Sequence, residues 1–221
     1  MTARARPVDS SLRADAARNR RALVDAAHVV FGRQGLDAPL DEIARQAAVG
    51  NATLYRHFPN RCALVAAVFE DTLAEVGTAA RRALEDPDPW TGFTEHVLFL
   101  CRLQASDRGL ADLLTTTITA APELERLRKR ARLDLARIIA RAKNSGALRD
   151  DFEPEDLIVL LMANAGVVRR TSVAAPGAWQ RLVGYTLDGL RAPAATATVP
   201  ASCADAVRRA MADHAIHLGC T

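Results

Sequence analysis

Between Leu124 and Ala142 the chain places apolar side chains at Leu124, Leu127, Ala131, Leu135, Ile138 and Ala142, in steps of three and four. An α-helix gathers such positions on one face, whereas a strand needs strict alternation. The same spacing returns at Leu157, Leu160, Leu161, Asn164 and Val168, and at Trp179, Leu182, Val183, Thr186, Leu187 and Leu190. No strand signal and no internal repeat is found in the 221 residues. Alanine, leucine and arginine dominate and aromatics are only 5 %, which favours helix further. The expected fold class is all-α: an N-terminal three-helix helix-turn-helix domain followed by a larger C-terminal helical bundle.

Punctuation divides the chain. Residues 1–14 are arginine-rich and aperiodic and are expected to form a mobile arm. The spacing predicts a first helix over 15–34, which Gly35 stops in a left-handed conformation. A short second helix follows Pro39, with Asp41 and Glu42 at its positive end. Ala48-Val49-Gly50 links it to a third short helix, over 51–57, that Pro59 terminates. Asn60 is placed to cap a fourth helix from Arg61, and Asp88-Pro89 to open a fifth. Further helices are expected over 110–120, from 124 to Gly146, over 155–172 and over 178–191, with a last one over 204–218. The resulting divisions are a first helical domain at 15–62, a larger helical domain at 63–192, and a linker with a terminal amphipathic helix at 193–221.

Two short helices joined by a three-residue turn and braced by a third form a helix-turn-helix, whose second member fits the major groove of DNA. In the third helix Leu54 and Phe58 lie four apart and face the core. Asn51, Thr53, Tyr55, Arg56 and His57 are then left as donors for phosphates and base edges. Tyr55 also suits a core, His57 a local cap, and Arg45 on the second helix a solvated surface. From Leu40-Asp41-Glu42-Ile43-Ala44 through Thr53-Leu54-Tyr55-Arg56-His57-Phe58 to Arg61, the chain resembles the DNA-binding domain of TetR-family repressors, over about residues 15–66. The family's usual Gly-Val-Ser turn is Ala48-Val49-Gly50 here, and a left-handed Ala48 costs about 1 kcal/mol. Pro39 stands where the family has a hydroxyl residue, and Arg61 matches its phosphate-holding basic residue. The resemblance implies a homodimer on a palindromic double-stranded DNA operator, released by a small-molecule effector.

Charge alone does not establish DNA binding, because the net value is only +3. Its placement is more informative: residues 1–61 carry ten arginines against six acidic residues. The later run Arg126, Arg128, Lys129, Arg130 and Arg132 alternates with Leu127 and Ala131, and reads as a solvated helix face. On the last two bundle helices Leu157, Leu161, Asn164, Val168, Trp179, Leu182, Val183, Thr186 and Leu190 read as a dimer interface, with ordinary core as the alternative. Phe93, His96, Phe99, Leu100, Leu103, Thr116, Thr117 and Met162 mix apolar walls with few polar groups, as small-molecule pockets do and as cores also can.

Other classes find little support. There is no phosphate loop, nucleophile elbow or metal-binding helix motif, so no enzyme and no cofactor is expected. His214, His217 and Cys220 fall three apart, but at a frayed terminus they are read as holding no metal. The N-terminus lacks an apolar signal core, and the greasy stretch 157–168 is too short to span a bilayer, so a cytoplasmic protein with no membrane partner is expected. The alternatives carried forward are an effector-independent DNA-binding regulator and, more distantly, a helical small-molecule-binding protein or enzyme.

Overall fold

The structure, a computed structural model, describes the backbone of residues 8–116 and 122–217, with the side chains of 8–12, 123 and 213–217 outside the description. Among the described residues ten α-helices follow one another: α1 Val8–Gln34, α2 Leu40–Gln46, α3 Asn51–His57, α4 Arg61–Glu85, α5 Pro89–Ser106, α6 Arg108–Thr115, α7 Pro122–Asn144, α8 Pro154–Thr171, α9 Ala178–Leu190 and α10 Ala204–His217. Among the described residues there is no strand, only one antiparallel bridge between Leu148 and Arg191. It ties the turn after α7 to the end of α9.

The helix ends follow the local chemistry. Asn60 accepts the Ala63 N–H at 2.8 Å to start α4, and Asp88 accepts from Trp90 and Thr91 at the head of α5. Gly35 and Gly146 are both left-handed, at φ 97° and 73°. After α7 the Gly146 N–H reaches Lys143 O and the Ala147 N–H reaches Ala142 O, a Schellman ending that satisfies two terminal carbonyls. One boundary differs from expectation. α1 begins at Val8, so residues 8–14, expected as part of an arm, are helical; alanine and arginine favour helix even without an apolar stripe.

Two hydrophobic clusters fill the molecule, and α4 runs through both. The first gathers Leu23, Val30 and Phe31 of α1, Ile43, Leu54, Phe58 and the first half of α4, and is completed by Leu110 and Leu113 of α6 and Leu124 of α7. The second joins Val76, Ala80 and Ala83 of α4 to α5, α7, α8 and α9. The 15–62 segment therefore shares its core with the bundle. α1 and α6 approach closely at Gly109. A Cβ there would lie 2.9 Å from Phe31 Cβ, 3.0 Å from Phe69 Cζ and 3.1 Å from Phe31 O. Gly109→Ala is expected to force α6 off α1 and cost about 1–3 kcal/mol, typical of overpacking, read as a lower midpoint in urea denaturation.

Candidate functional site

The turn between α2 and α3 sets the geometry of the reading head. α2 ends with the Ala48 N–H on Arg45 O at 3.1 Å and the Val49 N–H on Ala44 O at 3.0 Å. This is the bonding pattern seen at Gly146, but its left-handed residue is Ala48, at φ 54°. The methyl group meets the following carbonyl there, the strain expected from the sequence. Gly50 then caps α3 in extended conformation, with no side-chain bond. Ala48 is exposed, so glycine would relieve strain without loss of packing. Ala48→Gly is expected to stabilise the fold by up to about 1 kcal/mol, the relieved strain partly offset by a more flexible unfolded chain, measurable as a raised Tm.

α3 buries Leu54 and Phe58 and turns its other side outward. Tyr55 is 51 % exposed, which removes the reading of a core tyrosine. Asn51, Arg56 and Arg45 are also exposed, while Thr53 and His57 are half-buried. Asn51 donates to Asp41 Oδ1 at 2.9 Å, so its amide bridges α3 to the start of α2. Arg45 lies 3.8 Å from Glu42 on its own helix. His57 Nε2 is buried without a protein hydrogen-bond partner. Arg61 is placed differently from a simple phosphate clamp: its Nη1 donates at 2.6 Å to both Leu36 O and Ala38 O. It staples the α1–α2 loop to the head of α4. Arg20, which the sequence did not single out, lies 5.1 Å from the Phe58 ring centroid and braces the exit of α3.

The expected ligand residues do not line one chamber. Phe93 is fully buried between Trp90 and Phe152, with ring centroids 5.7 Å apart on each side, and Leu100 is core as well. His96 and Phe99 line a 560 Å³ groove between α4 and α5. Met162 lines another, of 300 Å³, between α6, α8 and α10. Leu103 is a half-buried bridge between the two clusters. Thr116 is buried with Oγ1 unpartnered, and Thr117 lies outside the described residues. The structure adds Gln104 and Asp134, both buried, with Gln104 Nε2 lacking a hydrogen bond and Asp134 Oδ1 held only by an ion pair with Arg137 at 3.6 Å. Each is a polar residue in register with an apolar stripe, Gln104 with Phe93, Val97 and Leu100, and Asp134 with Leu127, Ala131 and Ile138. That register was the available signal.

The dimer stripe needs correction. Leu157, Leu161, Asn164, Val168, Trp179 and Val183 are all buried within the single chain. Asn164 donates to Gln104 Oε1 at 2.9 Å, far from any outer face. Both helices are apolar on more than one side, and the regular spacing marked the inward side. The outward side carries Val159, 48 % exposed, and Tyr185, 60 % exposed. Leu182, Thr186 and Leu190 are half-buried and line a 440 Å³ groove shared with Leu160, Ala163 and residues 198–202.

Arg128 also departs from the solvated face expected of its run. It turns inward and donates to Leu113 O and Thr116 O at the end of α6, where burial pulls its pKa down to about 10. His214, His217 and Cys220 have side chains outside the described residues; no metal-holding cluster occurs among the described ones. No described helix is long and apolar enough to cross a membrane.

The comparisons with known proteins agree with this architecture. Residues 23–68 match the bacterial regulatory proteins of the tetR family, and residues 88–192 match the SbtR-like transcriptional regulator C-terminal domain. No curated protein matches the chain. Among solved structures, the TetR transcriptional regulator SCO0520 from Streptomyces coelicolor is 30 % identical, over 78 % of this chain and 98 % of that one, with a TM-score of 0.50. A TetR-family regulator from Agrobacterium tumefaciens shares the fold at 14 % identity and TM-score 0.59, over 80 % and 99 % of the two chains. FadR from Bacillus subtilis in complex with stearoyl-CoA does so at 17 % and 0.56, over 76 % and 96 %. The chain belongs to the TetR family of transcriptional regulators, and is a DNA-binding regulator rather than an enzyme.

His96 gives the bundle a pH dependence. Burial lowers its pKa from 6.5 to about 4, opposed only in part by Asp134. Between these values the unfolded chain binds the extra proton, so stability is lost as pH falls from 6.5 and levels off below about 4. At about 1.4 kcal/mol per pH unit the loss reaches about 3 kcal/mol. His96→Gln should flatten this part of the curve when urea unfolding is compared at pH 7, 5 and 4.

Proposed function

We propose that the protein is a homodimeric repressor that binds a palindromic operator through α3 and is released by a small-molecule effector. The observation that carries the DNA half is the outward row of Asn51, Tyr55 and Arg56 on a short helix braced by α1, α2 and α4. Tyr55 and Arg56 hold phosphates, and His57 Nε2, as an N–H, donates to a phosphate oxygen that covers it. Thr53, nearest the groove floor, reads bases together with Asn51. Arg45 adds a phosphate contact at the edge, and Arg61 fixes the position of α2 against α4.

A single seven-residue helix reads too little DNA for useful specificity, so two copies act together. The outward faces of α8 and α9, with exposed Val159 and Tyr185 and the half-buried Leu182, Thr186 and Leu190, supply the two-fold contact. The sensor half rests on buried polar atoms without hydrogen-bond partners: His96 Nδ1, Gln104 Nε2, Thr116 Oγ1 and Asn164 Oδ1. Unsatisfied polar atoms are costly in a core and are expected where a ligand supplies the missing bonds. FadR, of the same fold, carries stearoyl-CoA, which supports a small-molecule effector here.

The experiment is operator binding at several salt concentrations, on a duplex selected from random sequence. Arg56→Ala is expected to flatten the salt dependence by about one unit of slope per half-site, and Tyr55→Ala to weaken all sequences alike. Thr53→Ala should change sequence preference with the slope kept. Unaltered binding in Arg56→Ala and Tyr55→Ala, or a monomer bound to one unrepeated half-site, would refute the reading.

A further inference from the structure

We infer that the effector class is a small apolar carboxylic acid, seated in the groove between α6, α8 and α10 with its carboxylate on Gln104, Arg108 and Arg169. The inference rests on the ligand-released reading above and deepens it. The groove holds 300 Å³, and at about 30 Å³ for each water-sized group that is about ten heavy atoms, the size of octanoate. Met162, Val168 and Ala165 give it apolar walls.

The polar end is set by a hydrogen-bond argument. Asn164 Nδ2 faces two acceptors, Cys101 O at 3.4 Å and Gln104 Oε1 at 2.9 Å. The Cys101 carbonyl can only accept, so the nitrogen of Asn164 must face it, and Gln104 must then present its oxygen to that nitrogen. The amide left over on Gln104 is Nε2, a donor fully buried and without an acceptor, on a residue that lines the groove. Arg108 and Arg169 line the same groove, and a groove lined by a spare donor and two arginines favours an anion. Asp112 is the opposing charge on the lining; its Oδ2 already accepts the Leu36 N–H at 2.9 Å. Two cations against one bonded carboxylate leave the groove positive.

The same residues reach the reading head. Arg108 Nη1 donates to Arg33 O at the end of α1, at 3.1 Å, and Asp112 holds the Leu36 amide of the α1–α2 loop. A bound carboxylate competes with Arg33 O for the Arg108 guanidinium, and so loosens α6 from α1. An acid in this groove is thereby able to bind the released arrangement of the head more tightly than the DNA-competent one, which is what release requires.

The test is calorimetry of octanoate on the full chain, with 1-octanol and octylamine as probes of equal length, and operator binding measured with each. Octanoate is expected to bind at least tenfold more tightly than either and to weaken operator binding. Gln104→Met, which keeps the volume but cannot donate, should weaken octanoate at least tenfold, and Arg169→Gln, at an exposed position tolerant of change, at least fivefold. Octanoate binding that is absent, matched by octanol, or indifferent to Arg169→Gln overturns the inference. If another compound from an apolar screen releases the operator while octanoate does not, the inference falls and the sensor reading stands. If nothing in the screen releases it, both fall.

Discussion

The reading head has no core of its own. Its buried residues, from Leu23 to Phe69, close only when Leu110 and Leu113 of α6 and Leu124 of α7 are added. A three-helix unit of some fifty residues buries too small a share of its surface to be firmly stable alone, and here the deficit is met by the bundle. Every other feature follows from that sharing. α6 must come close enough for Gly109 to press on Phe31, and its carbonyls must be capped from α7 by Arg128. A disturbance of α6 is then felt in the head as a packing defect, because cores respond to displacement in discrete rearrangements.

Electrostatics divides the chain in a complementary way. In the head, polar groups other than the buried His57 Nε2 are mostly outward or stapled to backbone, as with Arg61 on the Leu36 and Ala38 carbonyls. In the bundle they are inward and incompletely satisfied, with Asp134 flanked by Arg130 and Arg137 but one oxygen without a hydrogen bond. Such groups lower the stability of the bundle.

Much of the fold was legible because helix ends are local chemistry. Gly35, Gly146, Pro59, Asn60 and Asp88-Pro89 act where the sequence places them, and so does the strained Ala48. The start of α1 was not, because residues 8–14 carry helix propensity without an apolar stripe. Nor was the inward side of α8. Leu157, Leu161, Asn164 and Val168 form one clean stripe, yet Val159 and Ala163 offer a second apolar surface, and spacing alone cannot say which of the two meets the core. The candidate site divides along the same line. The outward set on α3 follows from burying Leu54 and Phe58. The roles of Arg61, Arg108 and Arg128 depend on backbone carbonyls distant in sequence, which no motif records.

Like α7, α4 belongs to both clusters, with Phe69 and Leu73 in the first and Val76 and Ala80 in the second. Its 25 residues make a rod of about 37 Å at 1.5 Å per residue. Seen mechanically it is a lever with its load at the Arg61 end. A tilt of about 5° along that length displaces the loaded end by about 3 Å, nearly the 3.4 Å rise of one base along a DNA strand. A bundle that yields by a few degrees is therefore geared to put the α3 helix out of step with a DNA groove.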